Sequence, residues 1–203
     1  MIKSRSLNSL TFFIIYDIIY IENEKEINME YKEIKANLFN FNPEKYCFAH
    51  CISADFAMGA GIALQFEKNF NTKTQLLKKY EDFLGENTYL RNWRRRIKQT
   101  GEYGDCIYIK PVFNLVTKEY YYDKPTYRSV QESLVHLRAY CSDMNIKKLA
   151  MPRIACGLDG LSWSEISNVI KNIFKDMDIE ITVCYKYDLA EIEEICNRME
   201  GYW

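Results

Sequence analysis

The chain has 203 residues, 48% of them hydrophobic and 27% charged, with 27 Lys+Arg against 28 Asp+Glu for a formal net charge of −1. That length suits one domain with a sizeable core, and the balanced charge gives no global reason to bind nucleic acid or an anionic membrane. Seven cysteines and two histidines without a CxxC pair argue against a disulfide framework or a zinc site; they fit a reducing, cytoplasmic setting in which most thiols pack the core.

Residues 1–28 read as an N-terminal extension. Lys3 and Arg5 precede an apolar run at 10–21, but Asp17 interrupts it and no A-x-A cleavage site follows. The run is too short to cross a bilayer as a helix, and its Ile, Phe and Tyr content suits a strand. The main domain is expected over 30–203. Residues 31–36 read as a first strand and 37–43 as a turn. Residues 46–52 form a continuous apolar strand, the pattern of a sheet covered on both faces. Met58-Gly59-Ala60-Gly61 then has almost no side-chain bulk and opens a helix over 59–70. A helix N-terminus at such a corner suits a phosphate. A second helix is expected over 72–83.

Residues 85–104 read as an insert. Arg91, Arg94, Arg95, Arg96 and Lys98 surround Trp93 there, either as a solvated segment anchored by the Trp or as a basic lip for phosphate or nucleic acid. The rest of the chain is not basic, which favours the first. Strands follow at 106–110 and 113–117, paired around Pro111. After Tyr120-Tyr121-Tyr122, Lys124-Pro125 opens a helix whose apolar positions are Tyr127, Val130, Leu134, Leu137, Cys141 and Met144. A strand at 147–151 runs into a second small-residue corner, Pro152-Arg153-Ile154-Ala155-Cys156-Gly157-Leu158-Asp159-Gly160. Ser162 and Glu165 have the spacing of a capping box, and Ile166, Ile170, Ile173 and Phe174 point one face of that helix inward. A strand over 179–185 and a helix over 189–199 close the chain. Alternating strands and helices predict a layered α/β domain. Two phosphate-suited corners in one such domain suggest a diphosphate between them. No GxGxxG and no GxxxxGK[ST] occurs, so neither a Rossmann dinucleotide site nor a P-loop is supported.

Five residues are candidates for chemistry. Pro125 at the first helical position would make Lys124 the N-cap, where the positive helix end disfavours the ammonium and leaves an amine able to attack a sugar carbon. The alternative is an exposed loop lysine. Asp159 reads equally as an acid–base group or as an Asx-turn residue. Asp55 reads as a turn or capping residue, His50 as a core histidine, and Ser53 lacks the His and Asp of a hydrolase triad.

Three segments taken together, HCISADFAMGAGIALQF (50–66), KPTY (124–127) and MPRIACGLDGLSW (151–163), resemble the macro domain, an ADP-ribose-binding fold, and within it the terminal-ADP-ribose protein glycohydrolase branch. The resemblance covers about residues 30–185. It implies a three-layer α/β/α sandwich around a mixed six-stranded sheet, with the diphosphate of ADP-ribose between the two corners. It implies that Lys124 attacks C1″ of the distal ribose, giving a covalent lysyl–ADP-ribose, and that Asp159 assists proton transfer and resolves it. The substrates implied are ester-linked ADP-ribosylated protein and O-acyl-ADP-ribose, with ADP-ribosylated DNA or a non-catalytic reader as alternatives. No metal, cofactor or membrane is implied. Ligand contacts are expected from Asn37, Leu38, Ser53, Met58, Gly59, Ala60, Gly61, Ile62, Pro152, Ile154, Ala155, Cys156, Gly157, Leu158 and Tyr185. One departure is visible: many macro domains end the first strand in Gly-Asp, where this chain has Ala36-Asn37. The charge-assisted bond to adenine is therefore missing, a loss of about 1 kcal/mol.

Overall fold

The computed structural model describes residues 28–186, so the apolar run at 10–21 and the helix expected over 189–199 lie outside the described residues. Six strands form one sheet: β1 (Glu30–Lys35), β2 (Cys47–Ser53), β3 (Asp105–Ile109), β4 (Val112–Lys118), β5 (Lys148–Pro152) and β6 (Glu180–Tyr185), in the order β1-β6-β5-β2-β4-β3. Every pairing is parallel except the β3–β4 hairpin. The helices are α1 (Gly61–Phe70), α2 (Thr72–Tyr80), α3 (Thr88–Thr100), α4 (Tyr127–Asp143) and α5 (Trp163–Phe174).

The apolar run of β2 divides its side chains between two cores. Phe48 and Ile52 pack with Phe66 of α1, Leu76 of α2 and Trp93 of α3. Ala49 and Cys51 face the opposite way, toward Leu134 and Leu137 of α4 and Ile166 and Ile170 of α5. Successive strand residues point to opposite faces, so a strand covered on both sides must be apolar throughout. The result is the three-layer α/β/α sandwich with a mixed sheet. Its neighbouring strands β2 and β5 lead to helices on opposite faces, which opens a crevice beyond their C-terminal ends.

Several local expectations are corrected. The helix after KPTY begins at Tyr127 with Thr126 as N-cap. Thr126 Oγ1 accepts from Ser129 N and Ser129 Oγ accepts from Thr126 N, both at 3.1 Å. This reciprocal pair outcompetes Lys124, which has no side-chain acceptor to offer the first turn. Lys124 thus lies two residues before the cap, held extended by Pro125. The Ser162–Glu165 capping box does not form: Ser162 Oγ instead pairs with Ser164 Oγ at 2.9 Å. The stripe of α4 is buried at Val130, Leu134, Leu137 and Cys141, whereas Tyr127 and Met144, the first residue and the C-cap of the helix, are each 41% exposed. The insert is folded rather than merely solvated. Asn87 caps α3, Tyr89 and Trp93 are buried, and Tyr89 and Arg96 both reach Asp105 of β3, at 2.6 and 2.8 Å.

His50 is a core histidine. It is fully buried, stacks on Phe66 at 3.9 Å, and pairs through Nε2 with Asn114 Oδ1 at 2.9 Å. Burial lowers its pKa to about 3, against the opposing pull of the Asn114 bond. Unfolded, the ring protonates near 6.5; folded, it stays neutral far below that. Stability is therefore complete above about pH 6.5 and falls as pH drops toward 3, by up to about 1.4 kcal/mol per pH unit. Glu180 adds an acid-side contribution. Desolvation would raise its pKa, but hydrogen bonds from Lys148, Lys32 and Tyr46 win and hold it at about 2, below its ordinary 4.5. Its share is present above about pH 4.5 and is lost as pH falls toward 2. Urea midpoints should begin to fall between pH 7 and 5, before the carboxylates titrate. A midpoint that is level over that interval would contradict the neutral, buried His50.

Candidate active site

Three loops leave the C-terminal ends of β2, β4 and β5 and enclose a cleft of about 730 Å³. The first loop contains a tight corner. Phe56, Met58 and Gly61 adopt left-handed φ of 56°, 45° and 58°. The glycine required by backbone sterics is therefore Gly61 rather than Gly59, whose missing side chain leaves open space. Positive φ at non-glycine residues is held by surrounding contacts and gathers at ligand sites. Here Asp55 is the clamp. Its Oδ1 accepts from Ser53 Oγ at 2.5 Å and Ala57 N at 3.1 Å, and its Oδ2 accepts from Tyr121 N at 3.1 Å. Lys73 Nζ braces Ala57 O at 2.9 Å. Ala60 is the N-cap of α1 and gives it no side-chain cap, so the free N–H groups at the start of that ten-residue helix face the corner.

The second corner uses Ala155 (φ 58°) and Gly160 (φ 79°), closed by bonds from Gly160 N to Gly157 O at 3.1 Å and from Leu161 N to Ala155 O at 3.0 Å. A Cβ added at Gly61 would lie 3.4 Å from Leu158 Cδ1, so the two corners meet across the cleft. A Cβ at Gly157, by contrast, would meet nothing. The backbone of both corners is thus bare on the side that a ligand would use.

The cleft brings together Lys124, Asp159, Ser53, Met58, Gly59, Ala60, Gly61, Ile62, Pro152, Ile154, Ala155, Gly157 and Leu158. Lys124 is exposed, and its Nζ donates to Leu158 O, one residue before Asp159. Asp159 Oδ1 pairs with Lys118 Nζ at 2.6 Å. Two thiols are near, but burial pushes Cys51 up, and it pushes Cys156 up to about 11, so neither supplies a thiolate nucleophile. Among the described residues no three His, Cys, Asp or Glu side chains are grouped as a metal would need.

Four expected contacts lie outside the cleft lining: Asn37, Leu38, Cys156 and Tyr185. Leu38 is buried in the core, and Asn37 Oδ1 is engaged by Phe39 N at 3.1 Å as the cap of a short 3-10 turn. The Arg153 guanidinium sits 4.3 Å from the centre of the Tyr185 ring, with Arg153 itself bonded to Glu33 at 3.2 Å. The cleft also holds residues not singled out from the sequence, chiefly Lys118, Arg153, Tyr121 and Tyr122. Lys118 carries a faint signal, being the one charged residue of a largely buried strand.

No protein-family model matches the chain. It is 38% identical over 150 residues to the ADP-ribose glycohydrolase OARD1 of Homo sapiens, a match covering 74% of this chain and 88% of that protein. It belongs to the macro domain family. More narrowly, it is a macro domain of the ADP-ribose glycohydrolase kind, since the Bos taurus OARD1 is also 35% identical over 161 residues, 79% of this chain and 95% of that one. Solved macro domains share the fold. The macrodomain of Thermus aquaticus DarG superposes with a TM-score of 0.57 at 21% identity, covering 78% of this chain and 99% of that chain. Thermosipho africanus DarTG in complex with ADP-ribose gives 0.53 at 15% identity, covering 81% and 44%.

Proposed function

We propose that this macro domain binds ADP-ribose in the β2–β4–β5 cleft and releases it from glutamate or aspartate esters, using Lys124 as nucleophile and Asp159 as the acid–base partner. The observation that carries this reading is the convergence of the two side chains. They come from different loops, yet Lys124 Nζ bonds the carbonyl adjacent to Asp159 in the mouth of the cleft. The bare corner backbones and the uncapped start of α1 suit a diphosphate.

The chemistry runs in two steps. Unprotonated Lys124 Nζ attacks C1″ of the distal ribose; the N–C1″ bond forms as the C1″–O ester bond breaks, and the substrate side chain leaves as carboxylate. Asp159 then removes a proton from water, whose oxygen bonds to C1″. The C1″–N bond breaks, Lys124 departs as a neutral amine, and Asp159 loses its proton to solvent. O-acyl-ADP-ribose would follow the same route.

ADP-ribosylated DNA, the alternative substrate, draws less support from the structure. Of the basic residues on the insert, Arg91 pairs with Asp82 and Glu86, Arg94 with Glu119, and Arg96 with Asp105, so the charge is largely used within the fold. The deciding experiment incubates the protein with a glutamyl-ADP-ribose peptide and with ADP-ribosylated DNA. Free ADP-ribose from the peptide, with a transient adduct on Lys124 in intact-mass spectra, is expected. Binding of ADP-ribose without release from either substrate would leave a reader and overturn the proposal.

A further inference from the structure

Lys118 and Asp159 form the tightest ion pair in the cleft, 2.6 Å from Nζ to Oδ1, with side chains only 14% and 16% exposed. The two ends of that pair differ in how firmly they are held. Lys118 is the last residue of β4, fixed beside Ser53 of β2, and its carbonyl accepts from Ala54 N at 2.9 Å. Asp159 lies on the turn between Gly157 and Gly160, where the backbone bonds fix the main chain but do not touch the carboxylate. The strand therefore supplies the partner that orients the carboxylate, Lys118 Nζ on Oδ1. The geometry also separates the two lysines. Lys118 Nζ is committed to the Asp159 carboxylate, whereas Lys124 Nζ donates to the carbonyl of Leu158.

We propose that Lys118 is a positioning residue: it aims the Asp159 carboxylate by holding Oδ1 and leaves Oδ2 to take the proton of the attacking water. The inference rests on the Lys124/Asp159 reading above and assigns Lys118 to the second step. Attack by Lys124 on C1″ expels a carboxylate and needs no proton from Asp159. Hydrolysis of the resulting N–C1″ bond does need an aimed base. Losing Lys118 should therefore spare formation of the lysyl–ADP-ribose and slow its breakdown.

The test compares wild type, Lys118→Met and Lys118→Arg on a glutamyl-ADP-ribose peptide, with ADP-ribose affinity and thermal midpoint measured in parallel. For Lys118→Met, kcat should fall about 10²-fold, the low end for a positioned acid–base group. KM should not rise, and the adduct on Lys124 should approach one per chain within the first turnover. Lys118→Arg should restore most of kcat. Wild-type kcat in Lys118→Met overturns the proposal, as does a loss of activity that tracks lost stability or ADP-ribose affinity and is not restored by Arg. Failure of the underlying reading looks different: no variant, wild type included, forms an adduct on Lys124. In that case kcat decides alone. A fall at unchanged KM with rescue by Arg still supports the aiming of Asp159, and an unchanged kcat still refutes it.

Discussion

Lys124→Ala should abolish release of ADP-ribose while leaving ADP-ribose bound. The side chain is exposed and donates to one carbonyl at the rim of the cleft, so truncation removes no core contact and strands no buried partner. Folding should be unaffected within about 0.5 kcal/mol, the range for surface substitutions. The corners that suit the diphosphate are backbone, and Lys124 meets them at Leu158 O, a carbonyl that does not itself bind phosphate, so calorimetry should give an affinity close to wild type. Turnover should fall by at least about 10³-fold, because without the amine the C1″–O bond must be broken by water alone. The adduct should disappear with it. A variant that still hydrolyses glutamyl-ADP-ribose at the wild-type rate would mean that a different group attacks C1″.

What the sequence allowed, and what it withheld, follow from how local each feature is. The strand at β2 and the two corners are written in contiguous residues: an apolar run long enough to be covered on both faces, then small side chains at a helix start. Those features place the cleft without any partner element. The Lys118–Asp159 pair joins residues 41 positions apart, and nothing near either one names the other. One helix start and one helix cap differ from expectation for a related reason: Ser162 is the N-cap as the sequence predicts, but without the side-chain box. Pro125 and the Ser162–Glu165 spacing are both good local signals, but each competed with another hydroxyl nearby. Thr126–Ser129 closed a reciprocal pair within one turn, and Ser164 captured the Ser162 hydroxyl. In the insert the sequence shows the charge, which describes the outer face, and the anchoring Trp93, which is buried as expected. What the sequence does not signal is that Tyr89 and Arg96 also tie the insert to an acidic residue, Asp105, in the next strand. At the Ala36-Asn37 departure, the side chain is present as expected, but its oxygen is spent on capping the turn that follows.

The largest stability effect should come from a residue far from the chemistry. Gly104→Ala is expected to destabilise the fold by about 3 kcal/mol or more, the upper range for overpacking against atoms that cannot move aside. A Cβ at that position would lie 2.5 Å from both Glu132 Cβ and Ser133 N of α4, and would also run into Ser129 O. Two of those three atoms are helix backbone, and no rotamer relieves them. The approach is close because the strand edge is sewn to the helix here. Glu132 accepts from Tyr103 N and Gly104 N at 2.7 and 2.8 Å, and Asp105 N donates to Ser133 Oγ at 3.2 Å. The thermal midpoint should drop by roughly 6–12 °C for a chain of this size. Gly101→Ala, three residues earlier, provides the contrast. Gly101 ends α3 at φ 70° with nothing within 4 Å of an added Cβ, so only the backbone strain of about 1 kcal/mol applies. The clash at Gly104 also has a functional consequence. It pushes on the first turns of α4, and the start of that helix carries Thr126 and, two residues before it, Lys124. Gly104→Ala should therefore lower kcat even at temperatures where it remains folded, and Gly101→Ala should not. Equal midpoints for the two variants would show that α4 does not lie against β3 as closely as the geometry requires.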